Sequence, residues 1–204
     1  MGPAGSSSVF KGMGFENVYA CNWWDKFEVK SPGKDPLTIT FVPAKHWSGL
    51  KGIDANKHLW GGFVVSNEAK GTTTYFAGDT AMNASMFTQI KSTVPDIDLA
   101  LMPIGPCAPR HLMKESHMDP SEAVAATDIL QPKNMVPMHF GTFRLGPDSA
   151  TAPRDSLNAE WNHKDRDRPV DDGGHPVTSL HILKPSGRFD LNNGVTQPAP
   201  ATTS

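Results

Sequence analysis

Apolar and β-branched positions in the first half of the chain come in short runs separated by polar, Pro- and Gly-containing segments, the pattern of strands joined by turns. Four such runs predict strands over residues 17–23, 37–43, 60–66 and 72–77. Ser31-Pro32-Gly33-Lys34-Asp35-Pro36 predicts a loop, residues 49–57 are polar, and residues 67–71 read as a hairpin connection. Beyond Asp79 the period changes. Met86, Phe87 and Ile90 mark a short helix over 84–92, and 97–104 reads as a buried strand. Asp119-Pro120-Ser121-Glu122 places Asp at N-cap, Pro at N1 and Glu at N3 ahead of helical 123–130. A strand over 135–138, a helix over 154–163 and a last strand over 177–183 complete an α/β chain. The expected organisation is a flexible N-terminus over 1–14, one domain over 15–190, and a disordered tail over 191–204.

Composition narrows the class. With 204 residues, 38% apolar and 20% charged, the chain suits one loop-rich globular domain. A net charge of −2 lacks the basic footprint of a nucleic-acid binder. The longest apolar stretch, around residues 99–105, falls far short of the roughly 18 to 20 residues of a membrane-spanning helix. Residues 1–8 have neither the cationic start nor the apolar centre of a secretory signal. Cys21 and Cys107 lie far apart without a CxxC pair, which fits reduced thiols and an intracellular setting.

Three segments just past predicted strands carry candidate chemistry. Phe41-Val42-Pro43-Ala44-Lys45-His46-Trp47 presents an imidazole beside an indole. Tyr75-Phe76-Ala77-Gly78-Asp79-Thr80 delivers a carboxylate to a strand end, where it could coordinate a cation or cap the following helix. Met138-His139-Phe140-Gly141-Thr142-Phe143 presents a second imidazole. Two imidazoles and a carboxylate suit zinc, manganese or iron, and their wide spacing points to a catalytic site assembled from loops rather than to a zinc finger.

These segments, with Trp23-Trp24-Asp25, Pro103-Ile104-Gly105, Pro109-Arg110 and His117-Met118-Asp119-Pro120, resemble the metallo-β-lactamase superfamily. More closely, they resemble its N-acylphosphatidylethanolamine-hydrolysing phospholipase D branch. The resemblance implies an αββα sandwich and zinc-dependent phosphodiester hydrolysis that releases N-acylethanolamine and phosphatidic acid. It further implies that His46 binds one zinc, Asp79 bridges two, and His139 binds the second, with Asp79 and His117 catalytic. Arg110 and Trp47 stand as candidate substrate contacts, with Leu50, Leu112 and Met113 as further candidates for lipid contact.

The superfamily's His-x-His-x-Asp-His string, which would supply most of the remaining metal ligands, does not occur in the chain. The resemblance therefore covers the C-terminal portion of the family domain, a sandwich truncated at its N-terminus, and at most one weakly bound zinc is expected. Leaving a few hundred Å² of apolar sheet wet at about 25 cal/mol per Å² would forfeit on the order of 10 kcal/mol, so a lone monomer is expected to be marginal. The partners this allows are a phospholipid substrate or membrane surface, a second copy, or a complementing N-terminal half. A soluble lactonase or phosphoesterase of the same fold, and a non-catalytic remnant, are the alternative readings.

Overall fold

A computed structural model of the chain describes residues 1–49, 55–143, 146–163, 168–174, 177–184 and 186–196. Seven strands form the central sheet: β3 (Lys26–Val29), β4 (Leu37–Val42), β5 (Gly62–Asn67), β6 (Thr72–Phe76), β7 (Leu99–Pro103), β8 (Asn134–Met138) and β9 (Ser179–Leu180). They lie side by side in chain order. Pairs from β3 to β6 are antiparallel, as expected for strands joined by tight turns, whereas pairs from β6 to β9 are parallel. Crossovers between the parallel strands carry α2 (Ala84–Thr93), α3 (Arg110–Met113), α4 (Pro120–Leu130) and α5 (Ala152–Trp161).

One consequence positions the whole site. Because β4 and β6 both run against β5, strands β4, β6, β7 and β8 all point the same way, and their C-terminal ends share one edge of the sheet. In open α/β sheets that edge is where ligands bind.

Val42, Val64, Tyr75, Ala100, Met102 and Met135 on one face of the sheet pack with Phe87 and Ile90 of α2, Ala123, Val124 and Leu130 of α4, and Leu157 of α5. Cross-strand register sets a second apolar row on the opposite face, Phe41–Phe63–Phe76–Leu101–Val136. Phe41 is fully buried there, but Phe76 is 43% exposed. The described residues thus supply one sheet with its helical layer, half of the layering in an αββα sandwich.

Several expected boundaries shift. The 17–23 run keeps only Ala20–Cys21 as strand β2, paired with β1 (Gly2–Pro3). Trp24 turns into left-handed backbone at φ +76, and the Asp25 carboxylate accepts from Asn22 N–H, so pairing resumes later in β3. Residues 7–12, expected to be flexible, form helix α1 (Ser7–Gly12). Hairpin β10 (Arg188–Asp190) with β11 (Gly194–Thr196) straddles the expected start of the tail. Helix α4 forms as its capping box requires: Asp119 accepts from Glu122 N–H at 2.9 Å, and Gln131 ends the helix in left-handed backbone. Helix α2 is capped by Asn83, whose side chain accepts from Met86 N–H, and this leaves Asp79 free of the capping role. Cys21 and Cys107 are both free thiols, and burial pushes the Cys107 thiol up to about 11. Among the described residues, no helix is long and apolar enough to cross a membrane.

Candidate metal centre

Four segments leave the shared sheet edge and meet. His46 follows β4, Asp79 follows β6, Gly105 follows β7 and His139 follows β8, while His117 enters from the turn between α3 and α4. Gly78 makes the turn before Asp79 in left-handed backbone at φ +65, where a side chain would be strained. His139 adopts φ +61 without being glycine, a conformation that costs on the order of 1–3 kcal/mol and persists where the surroundings over-determine it.

Thr80 ties the loops together. Fully buried, its hydroxyl accepts from Lys45 N–H at 2.9 Å and donates to the Ala81 carbonyl at 3.0 Å. Ala81 N–H donates to the Lys45 carbonyl at 2.8 Å, and Met118 N–H to the Thr80 carbonyl at 3.0 Å. One side chain and two backbone bonds thereby fix the His46 and His117 segments against Asp79.

Donor atoms of His46, Asp79 and His117 all lie within 4.8 Å of one another. That span is close to the roughly 4 Å covered by two metal–ligand bonds of about 2.0–2.2 Å. His46 Nδ1 sits 2.8 Å from the Trp47 carbonyl, which can only accept, so Nδ1 carries the proton and Nε2 keeps its lone pair in the neutral ring. His139 is oriented the same way, with Nδ1 donating to the Gly105 carbonyl at 2.7 Å and Nε2 3.3 Å from Asp79 Oδ1. A ring nitrogen tied to a backbone carbonyl with the other aimed inward is the usual posture of a metal-binding histidine. His46 Nε2 and His117 Nδ1 are buried with no hydrogen-bond partner among the described residues. Orphaned imidazole nitrogens beside a carboxylate are costly without a partner, and a cation supplies one. The residues therefore fit a His/Asp-bound metal, with three candidate ligands, the number of protein ligands common in catalytic zinc sites.

Electrostatics agree with the geometry. The hydrogen bond from His139 holds the Asp79 carboxyl below the usual carboxylate range, and the same bond raises the His139 imidazole. Burial, reinforced by the charge of neighbouring His46, lowers His117 to about 4, so its ring is neutral at pH 7.

Of the six predicted site residues, the four expected to be catalytic or metal-binding, His46, Asp79, His117 and His139, are brought together. Within this cluster His117, read as catalytic, shares donor distances with His46 and Asp79, two of the three expected metal ligands. Arg110, read as a substrate contact, points into its own chain: it donates to the His117 carbonyl at 2.9 Å, pairs with Asp119 at 3.2 Å and bonds Glu122. Trp47 stacks on the His46 ring at 5.7 Å and is 53% exposed. Leu112 is exposed on α3 and Met113 half-buried, while Leu50 lies outside the described residues. Sequence reasoning missed the latch at Thr80 and the Gly105 carbonyl behind His139. The Gly-Asp-Thr motif contained the first, but its partner Lys45 is 35 residues away.

Comparison with known proteins places this geometry. Residues 4–140 match the profile of the beta-lactamase superfamily domain. The mitochondrial N-acyl-phosphatidylethanolamine-hydrolyzing phospholipase D of Saccharomyces cerevisiae is 33% identical over 168 residues, which cover 80% of this chain and 36% of that protein. A metal-dependent hydrolase of Methanopyrus kandleri is 33% identical over 137 residues, covering 65% of this chain and 51% of that protein. The chain thus spans between about a third and a half of these curated relatives. Among solved structures, a metallo hydrolase from Ignicoccus hospitalis superposes with TM-score 0.58 at 22% identity, covering 87% of this chain and 62% of its own. The metallo-beta-lactamase fold protein YhfI of Bacillus subtilis superposes with TM-score 0.55 at 15% identity, covering 88% and 59%. With its sheet, its helical layer and its His/Asp cluster at the strand ends, the chain belongs to the β-lactamase superfamily and carries the α/β architecture of the metallo-β-lactamase fold.

Proposed function

We propose that this site hydrolyses a phosphodiester with the help of bound zinc, on a phospholipid of the N-acylphosphatidylethanolamine type. The observation that carries the reading is the convergence of His46, Asp79 and His117, two of their ring nitrogens buried and unpartnered among the described residues. Similarity to a phospholipase of that specificity supports the substrate class.

His46, Asp79 and His117 would hold the metal, with His139 beside Asp79 as a further candidate ligand. A metal bound there supplies Lewis-acid polarisation of a phosphoryl oxygen and lowers the pKa of bound water. The chain's own residues do the rest. Asp79 stays ionised and anchors the cluster, while the Gly105 carbonyl holds the Nδ1 proton of His139 and so turns its Nε2 toward Asp79. His117, neutral at pH 7, keeps its Nδ1 lone pair available to the metal, and Arg110 holds its backbone in place. Exposed Trp47, stacked on His46, supports peripheral contact with a lipid surface, and Leu112 is a second exposed apolar side chain on α3.

The test incubates the purified 204-residue chain and zinc with N-acylphosphatidylethanolamine vesicles and measures N-acylethanolamine by mass spectrometry. Product from the chain and none from Asp79→Asn is expected. A chain that binds zinc yet releases no product would refute the reading and leave a non-catalytic remnant. Similarity to a metal-dependent hydrolase favours a second reading, hydrolysis of a small soluble substrate. Failure to sediment with vesicles, together with turnover of a soluble phosphodiester, would select it.

A further inference from the structure

A cleft of about 440 Å³ opens beside the cluster, walled by Trp23, Trp24, Trp60 and Met86 and reaching Lys45 and His46 at its inner end. Its volume is in the range of small-molecule sites. The walls are built rather than incidental. Trp23 Nε1 donates to the Trp60 carbonyl at 2.6 Å, Trp60 Nε1 donates to the Ala44 carbonyl at 3.0 Å, and the two rings meet edge to face at 6.4 Å. Both of these indole N–H groups are thereby consumed, so Trp23 and Trp60 offer a ligand carbon and π surface, while Asn83, Ser85 and Gln89 line the α2 side with polar groups. Trp24 lines the cleft from left-handed backbone, a conformation retained where the surroundings over-determine it.

Charge selects the occupant. Among the described residues on the lining, Lys45 is the one permanently charged side chain and there is no carboxylate. Its backbone is held on both sides, by Thr80 and by Ala81. Its ammonium lies 3.8 Å from Glu115 in a half-exposed pair, a contact of the weak surface kind that an incoming anion can displace. A cation would meet the ammonium of Lys45 at the inner end, so the aromatic walls are not set up as a cage for quaternary ammonium.

We propose that this cleft binds a single-chain amphiphile bearing an anionic phosphate, with the phosphate at Lys45 beside His46 and the alkyl chain over Trp23, Trp60 and Met86. The choice of headgroup rests on the phosphodiesterase reading of the adjoining cluster, whereas the apolar walls and the lone cation do not.

Isothermal titration calorimetry on the chelator-treated 204-residue chain separates the two. Octyl phosphate, below its micellar range, binds saturably at one site per chain, while inorganic phosphate and octanol bind at least tenfold more weakly. Lys45→Met lowers octyl phosphate affinity to that of octanol and leaves octanol unchanged. Gln89→Phe, which fills the cleft mouth from an exposed position on α2, weakens both octyl ligands while the melting temperature stays the same. Octyl phosphate binding that survives both substitutions, or inorganic phosphate binding as tightly as octyl phosphate, would overturn the assignment. Because binding is read without metal, absent hydrolysis sinks only the enzymatic reading, and absent binding in a hydrolytically active chain sinks only the cleft. Competitive inhibition of hydrolysis by octyl phosphate in the zinc-loaded chain identifies the cleft as the path of the substrate's own chain; inhibition that raises no KM identifies a separate amphiphile.

Discussion

Thr80→Val isolates the latch that holds the metal-site loops together. Valine preserves shape and removes the hydroxyl, and Thr80 is fully buried, so no water replaces it. Lys45 N–H then loses its acceptor and the Ala81 carbonyl loses a donor. Stranding one buried backbone N–H costs about 1–3 kcal/mol, and we take ~2 kcal/mol for the pair because both bonds share one hydroxyl. For a chain of this size that lowers the melting temperature by about 4–8 °C. The larger effect should fall on metal affinity. His46 and Asp79 belong to different loops joined at Lys45 and Thr80, and loss of a group supporting metal ligands typically costs about 10–100-fold in affinity. Differential scanning fluorimetry, zinc titration against a competing chromophoric chelator, and the Thr80→Ser control make the assay. Serine keeps the hydroxyl and should restore most of the zinc affinity. A Thr80→Val protein that melts within about 1 °C of the parent and binds zinc equally would refute the idea that this hydroxyl organises the site.

Three further outcomes follow from the packing. A Cβ at Gly62 would lie 2.5 Å from the Phe76 carbonyl oxygen and 2.8 Å from that of Ala77. Both are backbone atoms, so Gly62→Ala must spread the β5–β6 pair, and a loss of about 1–3 kcal/mol or insoluble expression is expected, read by thermal melt and soluble yield. Arg110→Ala should cost about 1–2 kcal/mol, discounted because its carboxylate pairs are about a third exposed, and should weaken metal binding through the His117 segment. An Arg110→Ala protein with normal melting and normal zinc affinity but a raised KM would instead establish a substrate contact. Tyr75 buries its hydroxyl without a partner among the described residues, and burial pushes the phenol up, so Tyr75→Phe should be neutral or stabilising by about 1 kcal/mol. A fall of several degrees in its melting temperature would reveal a partner for that hydroxyl.

Local chemistry made much of this protein readable in advance. The β-branched and aromatic runs within residues 60–77 set two strands, and the Asp119–Glu122 box set the start of α4, because both depend on neighbours within a few positions. His46, Asp79 and His139 were recognisable because each follows a strand in a short segment of small and aromatic residues, and strands that run parallel deliver such segments to one edge. What local chemistry could not decide was long-range. The 17–23 run read as strand, yet only Ala20–Cys21 pair and Trp24 turns left-handed just beyond, a choice made by packing against the core rather than by propensity. Arg110 and Thr80 took their roles from partners brought close by folding: the His117 carbonyl and Glu122 for the first, Lys45 for the second. Residue types alone determined that a metal-binding mixture was present. Only the tertiary structure decided that His117 joins His46 and Asp79, because donor atoms within 4.8 Å of one another are a property of three loops meeting, and no spacing along the chain encodes that distance.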